Sequence, residues 1–446
     1  METILPPSRA KSEPRSHELI SILAPLFGGI LATYALTGTS IDAWAYVSPP
    51  SQLTALAVGA GSAVAVCVAI AARGSSAIGW TAAAILGTVL ALTSMGLSSV
   101  THPLTLSSFV TGRCAIAGAL LGALVAAVWG ERNGQTALLF GVLGTYLATL
   151  VGHGTVVGSW FGETPFWLFV LVVAISVAAL AVSPITVRIH RSHRRAALVT
   201  ILLAVVWLLL NRVLAEWVSR QGLEVRGTYW LVAVISLLAV FLVVEAMTRW
   251  SRSPFTAAAA GVAAAAAPLA ASATSQPVRI DAWIVVVTGV AAVGAGLAMS
   301  IHWRHPTAGL YLVAAIPIAS AGWPEFGSDG PMLAVKVAVL GIGAAHVLGS
   351  NLPPAPSVAV TGLVLPFSSL VFVAVASGSP TDRAPGGLVA MLCDVSRCAN
   401  RVDLSWTGAA PGLDRSLPAN GALVVIVILC VWSITRLLRG THAPAR

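Results

Sequence analysis

The sequence predicts an all-α polytopic membrane protein of about 14 transmembrane helices, with both termini in the cytoplasm. Three observations carry this. Charged residues make up 9% of the 446 and hydrophobic residues 57%, whereas a soluble domain carries roughly 25% charge. Mean hydropathy is +0.89. Apolar runs recur from Leu19 to Leu438, most about 18–22 residues long, which spans a ~30 Å hydrocarbon core at about 1.5 Å per residue. Lipid offers the backbone no partners, so these runs must be helices. They lack the alternation of a membrane strand.

The expected spans are 19–37, 52–72, 76–98, 108–129, 136–153, 166–183 and 197–214, then 228–248, 255–273, 282–301, 308–322, 332–349, 357–377 and 421–438. The run 255–273 is Ala-rich and broken by Pro268, and 308–322 is short and contains Pro317. The first run follows a basic leader (Arg9, Lys11, Arg15) without a small-residue cleavage site, so it is expected to be a span and not a removed signal.

Charge fixes the parity. With a cytoplasmic N-terminus, one set of connectors carries Arg9, Lys11, Arg15, Arg73, Arg132, Arg188, Arg191, Arg194, Arg195, Arg249, Arg252, Arg304, Arg436, Arg439 and Arg446. The opposite set carries Arg220, Arg226, Arg279, Arg383, Arg397, Arg401 and Arg415. Cytoplasmic connectors concentrate Lys and Arg, and an error of one span would mix the two sets. The net charge of +9 is thus read as a topology signal. No nucleic-acid partner is expected.

Cys67, Cys114 and Cys430 lie inside apolar runs and read as small packing residues. Cys393 and Cys398 sit together in a polar outer loop, 378–420, where an oxidising compartment would close them into a disulfide; two free thiols are the alternative. No metal site or cofactor is expected. The chain has no Walker lysine, no H-E-x-x-H and no G-x-S-x-G with plausible partners.

Intramembrane charges are rare and tend to mark pathways. The candidates for substrate binding or coupling are Arg113, Lys336, His153 and His346, with Asp42 at the outer interface. Arg113 either snorkels outward or turns inward toward an anionic group, and Lys336 stands close enough to the outer surface to snorkel. The two histidines either titrate near pH 6.5 or pack as hydrogen-bonded residues. Arg212 and Glu216, four apart on one helix face, are further intramembrane candidates or pair with each other.

Between residues 38 and 260 the order of features resembles the major facilitator superfamily, and within it the fourteen-helix drug/proton antiporter branch. Asp42-Ala-Trp44-Ala-Tyr46, running on to Ser51-Gln52, is similar to the family's outer loop before helix two. Thr111-Gly112-Arg113 followed by Gly118-Ala-Leu-Leu-Gly122 resembles the Arg-then-glycine motif of helix four. Gly130-Glu131-Arg132 resembles the charged loop before helix five, and Gly152-His153-Gly154 stands where antiporters show Gly-Pro and paired glycines. Thr164-Pro-Phe-Trp167 resembles the aromatic opening of helix six, and Glu245 stands where this branch often has an acid. The chain departs from the family in two places. The loop after span two retains only Arg73 and Gly74, and span one carries no acidic residue between Phe27 and Tyr34.

The resemblance implies a six-helix bundle over 19–183, a basic linker with two extra helices over 184–254, and a second six-helix bundle over 255–438 containing the outer loop 378–420. Tails at 1–18 and 439–446 would be cytoplasmic. It implies a transporter, an exporter or flippase of an amphipathic or lipidic substrate, without the carboxylates of a standard proton antiporter. The rivals are a non-transporting scaffold of a cell-envelope assembly complex, with an envelope protein partner on loop 378–420, and a polytopic membrane enzyme. Membrane lipid is the expected partner. Scarce lysine with abundant Ala, Gly and Arg points to a bacterial inner (plasma) membrane.

Cysteines introduced singly into 183–195 are expected to resist impermeant thiol reagents in intact cells, and those in 378–392 to react. The opposite labelling overturns the orientation.

Overall fold

The computed structural model describes residues 15–37, 49–97, 103–152, 166–182, 226–275, 282–322, 330–368 and 413–441, with isolated positions at 201, 202, 205, 206, 209 and 372. Among them are thirteen helices and no strand. These are α1 (Arg15–Thr37), α2 (Pro49–Arg73), α3 (Ser76–Leu97), α4 (Pro103–Val128), α5 (Arg132–Gly152), α6 (Phe166–Val182) and α7 (Arg226–Ser251). Then come α8 (Phe255–Ser275), α9 (Ala282–His302), α10 (Ala308–Gly322), α11 (Gly330–Ser350), α12 (Pro356–Ser368) and α13 (Leu413–Thr441). Each coincides with an expected span. Of the span expected at 197–214 only Ile201, Leu202, Val205, Val206 and Leu209 are described, and they are helical and exposed.

Eight helices are long and apolar enough to cross a membrane, and four apolar helices are shorter, in α6, α8, α10 and α12. The helices overrun their apolar cores at several ends. Proline opens α2, α4 and α12, since its missing N–H is no loss in a first turn. Gly74 and Gly130, at φ 69° and 120°, close α2 and α4 in a conformation that side chains disfavour. A broad apolar surface faces outward, including Ile85, Leu92, Val170, Leu238 and Ile428. At the two ends of α9 the exposed indoles of Trp283 and Trp303, the latter just past its last residue, are twenty residues apart, or about 30 Å along the helix axis. That matches the apolar thickness of a bilayer with tryptophans at both interfaces.

The helix pairings repeat. In the first half α1 packs on α4, α5 and α6, α4 packs on α2 and α3, and α3 packs on α6. In the second half α8 packs on α11, α12 and α13, α11 packs on α9 and α10, and α10 packs on α13. Shifting each first-half helix by seven reproduces these second-half pairings, while α8–α10 and α4–α5 pack without a comparable counterpart. The halves meet along α2–α12 and α5–α9, themselves equivalent under that shift, along α4–α12 and α5–α11, which are equivalent too, and along α5–α8, which has no comparable counterpart. Helix α7 lies beside α8 and α13.

Small residues bring backbones together inside each half. A Cβ on Gly118 would collide with the Gly59 carbonyl, and one on Gly122 with that of Ala63, so α2 and α4 cross at backbone contact. Ser62 Oγ donates across the same crossing to Ala115 O at 2.6 Å. Gly141 meets the Leu26 carbonyl, Gly296 that of Ile342, and Gly309 that of Gly343 in the same way. Between halves a Cβ on Gly144 would stand 3.9 Å from Val290, one on Gly294 3.4 Å from Phe140, one on Gly289 3.8 Å from Leu147 and one on Gly341 3.3 Å from Leu147, all side-chain contacts. Helix α8 was the least convincing span in the sequence, yet it is buried from Phe255 to Leu269. Alanine reads as weakly apolar because this helix faces protein and not lipid.

Gly118→Ala is expected to destabilise the detergent-solubilised protein by about 1–3 kcal/mol, read as a lowered thermal midpoint. Gly112→Ala, into open space, should leave it unchanged or raise it. Equal midpoints for the two variants would mean the crossing is not this tight.

Candidate functional site

A charge at the centre of a membrane helix costs about 2.5–3.5 kcal/mol on insertion, so the buried ionisable side chains show where function can reside. The described helices contain three carboxylates, Glu18, Glu245 and Asp414. Glu18 and Asp414 stand in the first turns of α1 and α13. The remaining buried charges are Arg113, Lys336 and Glu245.

Arg113 lies ten residues after Pro103 on α4, about 15 Å along the helix. It is 4% exposed, so the side chain is buried. The guanidinium lies within electrostatic range of the Tyr34 phenol on α1. Lys336 lies six residues after Gly330 on α11 and is 7% exposed. Its ammonium donates to Ser320 Oγ of α10 at 3.4 Å, because α10 packs over the face of α11 that carries it.

At the opposite, arginine-rich ends of the helices a second polar group forms. Glu245 on α7 takes Arg249 Nε at 2.6 Å on one oxygen and the Ser433 hydroxyl of α13 on the other. This carboxylate, buried while Arg249 is largely exposed, ties α7 to the second half. Hydrogen bonds also join the connectors at this end. The Trp129 indole after α4 donates to Pro353 O between α11 and α12 at 2.8 Å, linking the two halves. Asn351 Nδ2 donates to Pro306 O between α9 and α10 at 2.8 Å. His346, 4% exposed, sits against the backbone of His305 in that same connector. Its Nδ1 has no hydrogen-bond partner among the described residues.

The structure therefore places Arg113 and Lys336 in different halves and His346 near the other end. Asp42, His153, Arg212, Glu216, Cys393 and Cys398 lie outside the described residues. Cys67, Cys114 and Cys430 are buried free thiols, as expected of packing residues. No group of three or more potential metal ligands occurs among the described residues. Tyr34, Trp129, Asn351 and Ser433 carried no sequence signal, because each acts through a partner distant in the chain. Ser433, for example, is 188 positions from Glu245.

No protein-family model matches the chain, and no curated protein matches it significantly.

Ser433→Ala leaves a buried carboxylate oxygen short of a donor and should destabilise the fold by about 1–3 kcal/mol. Arg249→Ala removes a half-solvated (i, i+4) pair and should cost about 0.3–0.5 kcal/mol. Thermal unfolding of both variants checks the order, and a larger effect at Arg249 contradicts it.

Proposed function

We propose that the chain is a major-facilitator-like membrane transporter, an exporter or flippase of an amphipathic or lipidic substrate. The carrying observation is the repeated pairing of helices in the two halves, which meet along the equivalent seams α2–α12 and α5–α9. Such pairing fits the parallel repeats on which rocking transporters are built, and glycine crossings at backbone contact hold each half together.

The substrate class follows from the lining chemistry available. The membrane-spanning helices offer small apolar side chains and few charges, which suits an acyl or isoprenoid chain better than a sugar. Proton coupling through a deep carboxylate has no support in α1, α4 or α5, whose only acid is Glu18 in the first turn of α1. The arginine-rich end is read as cytoplasmic, so the Trp129–Pro353 bond would close the cytoplasmic side.

Locking that side tests the reading. With Cys393 and Cys398 replaced, Trp129→Cys and Pro353→Cys are bridged by a bifunctional maleimide in proteoliposomes containing a fluorescent phospholipid. Unbridged protein should translocate the lipid, and bridging should stop it. Absence of translocation in the unbridged protein favours the scaffold, and translocation unaffected by the bridge rules out a rocking mechanism.

A further inference from the structure

We propose that the seam between α7 and α13 holds a phospholipid with an anionic headgroup, its phosphate against arginines of both helices and its acyl chains along their outward faces. The site lies on the outside of the bundle and does not depend on the transporter reading. Its starting point is a register. The Ser433 hydroxyl of α13 donates to the Glu245 carboxylate of α7, eight residues before α13 ends and six before α7 ends. The contact therefore brings the last turns of the two helices to one level.

Arginines follow that level with matched spacing. Arg249 stands four residues beyond Glu245 and Arg436 three beyond Ser433, and Arg252 and Arg439 come three residues later on each segment. All four are exposed. Arg249 engages Glu245 through Nε, yet its side chain stays 55% exposed. Among the described residues of α7 and α13, Glu245 is the only acid near this end, and neither α8 nor α10, packed beside them, has one. Four guanidinium groups against one carboxylate leave the seam cationic.

The surface leading to these arginines is apolar. Leu238, Leu242 and Arg249 share one stripe of α7, and Val425, Ile428, Trp432 and Arg436 share one stripe of α13, all of them exposed. Leu238 to Arg249 and Val425 to Arg436 are eleven residues each, about 16 Å of helix, or roughly the acyl depth of one leaflet. The exposed indoles of Trp250 and Trp432 put the arginines at headgroup level. Arg436 lies over the Trp432 ring, 5.2 Å from its centroid. A guanidinium stacked in this way is held in place while its in-plane N–H groups remain donors to phosphate oxygens. Arginine at this end is expected of topology alone. Paired arginines that cap two apolar stripes across a bonded seam point further, to an amphiphile with a phosphate head. An anionic head is favoured because a zwitterionic one brings its own cation into the same field.

The purified full-length chain in a non-ionic detergent is titrated with phosphatidylglycerol, phosphatidylcholine of the same acyl composition, or glycerol phosphate, with binding followed by native mass spectrometry. Phosphatidylglycerol should bind tightest. Arg436→Gln and Arg439→Gln should each weaken it about fivefold, with phosphatidylcholine binding unchanged. Trp432→Leu keeps the apolar stripe, removes the ring beneath Arg436, and should weaken it by a smaller factor. Arg73→Gln removes an exposed arginine from the same end, on α2, and should have no effect. Should a glutamine variant not fold, Arg436→Lys decides: it keeps the charge, loses the stacked fork, and should bind between the parent and the tryptophan variant's level or at that level. Equal binding of the two lipids overturns the proposal. An Arg73→Gln loss as large as that of Arg436→Gln also overturns it, because the attraction would then be a diffuse field of the whole end. Glycerol phosphate that binds as tightly as phosphatidylglycerol assigns the arginines to a free anion and overturns the lipid.

Discussion

Helices in lipid gain nothing from hiding apolar side chains from one another, because the acyl chains are equally apolar. What holds them is the number of atoms they bring into contact. The crossing of α2 and α4 at Gly59, Ala63, Gly118 and Gly122 meets this constraint by removing side chains until backbones touch. Carbonyls and Cα–H groups then approach closely enough for weak polar contacts, and Ser62 adds a conventional hydrogen bond to Ala115. The second half repeats the device at Gly296 against the Ile342 carbonyl and at Gly309 against that of Gly343. The rest of the architecture depends on these crossings, since they fix which face each helix turns to its neighbours and therefore where the few charges lie.

Charge is distributed along the helix axes with a consistent logic. Glu245, the one buried carboxylate among the described residues, has Arg249 and Ser433 against its two oxygens, so its negative charge is neutralised locally. Its role is explained by the α7–α13 contact it makes. Arg113 and Lys336 sit far from it, on α4 and α11, and α4 and α11 themselves carry no acid.

The all-helical, multi-span character and the order of the thirteen described helices were legible because the bilayer sets a length that apolar runs must meet. Helix ends were less legible. At α4 the helix begins at Pro103 and not at 108, since proline and polar residues satisfy a first turn as well as apolar ones do. Burial direction was illegible. Lys336 reads the same whether it snorkels or turns toward Ser320, and only the packing of α10 decides. Alanine-rich α8 read as a doubtful span for the opposite reason: hydropathy scores exposure to lipid, and this helix has almost none. The intramembrane arginine and lysine could be picked out as exceptions in an apolar sequence.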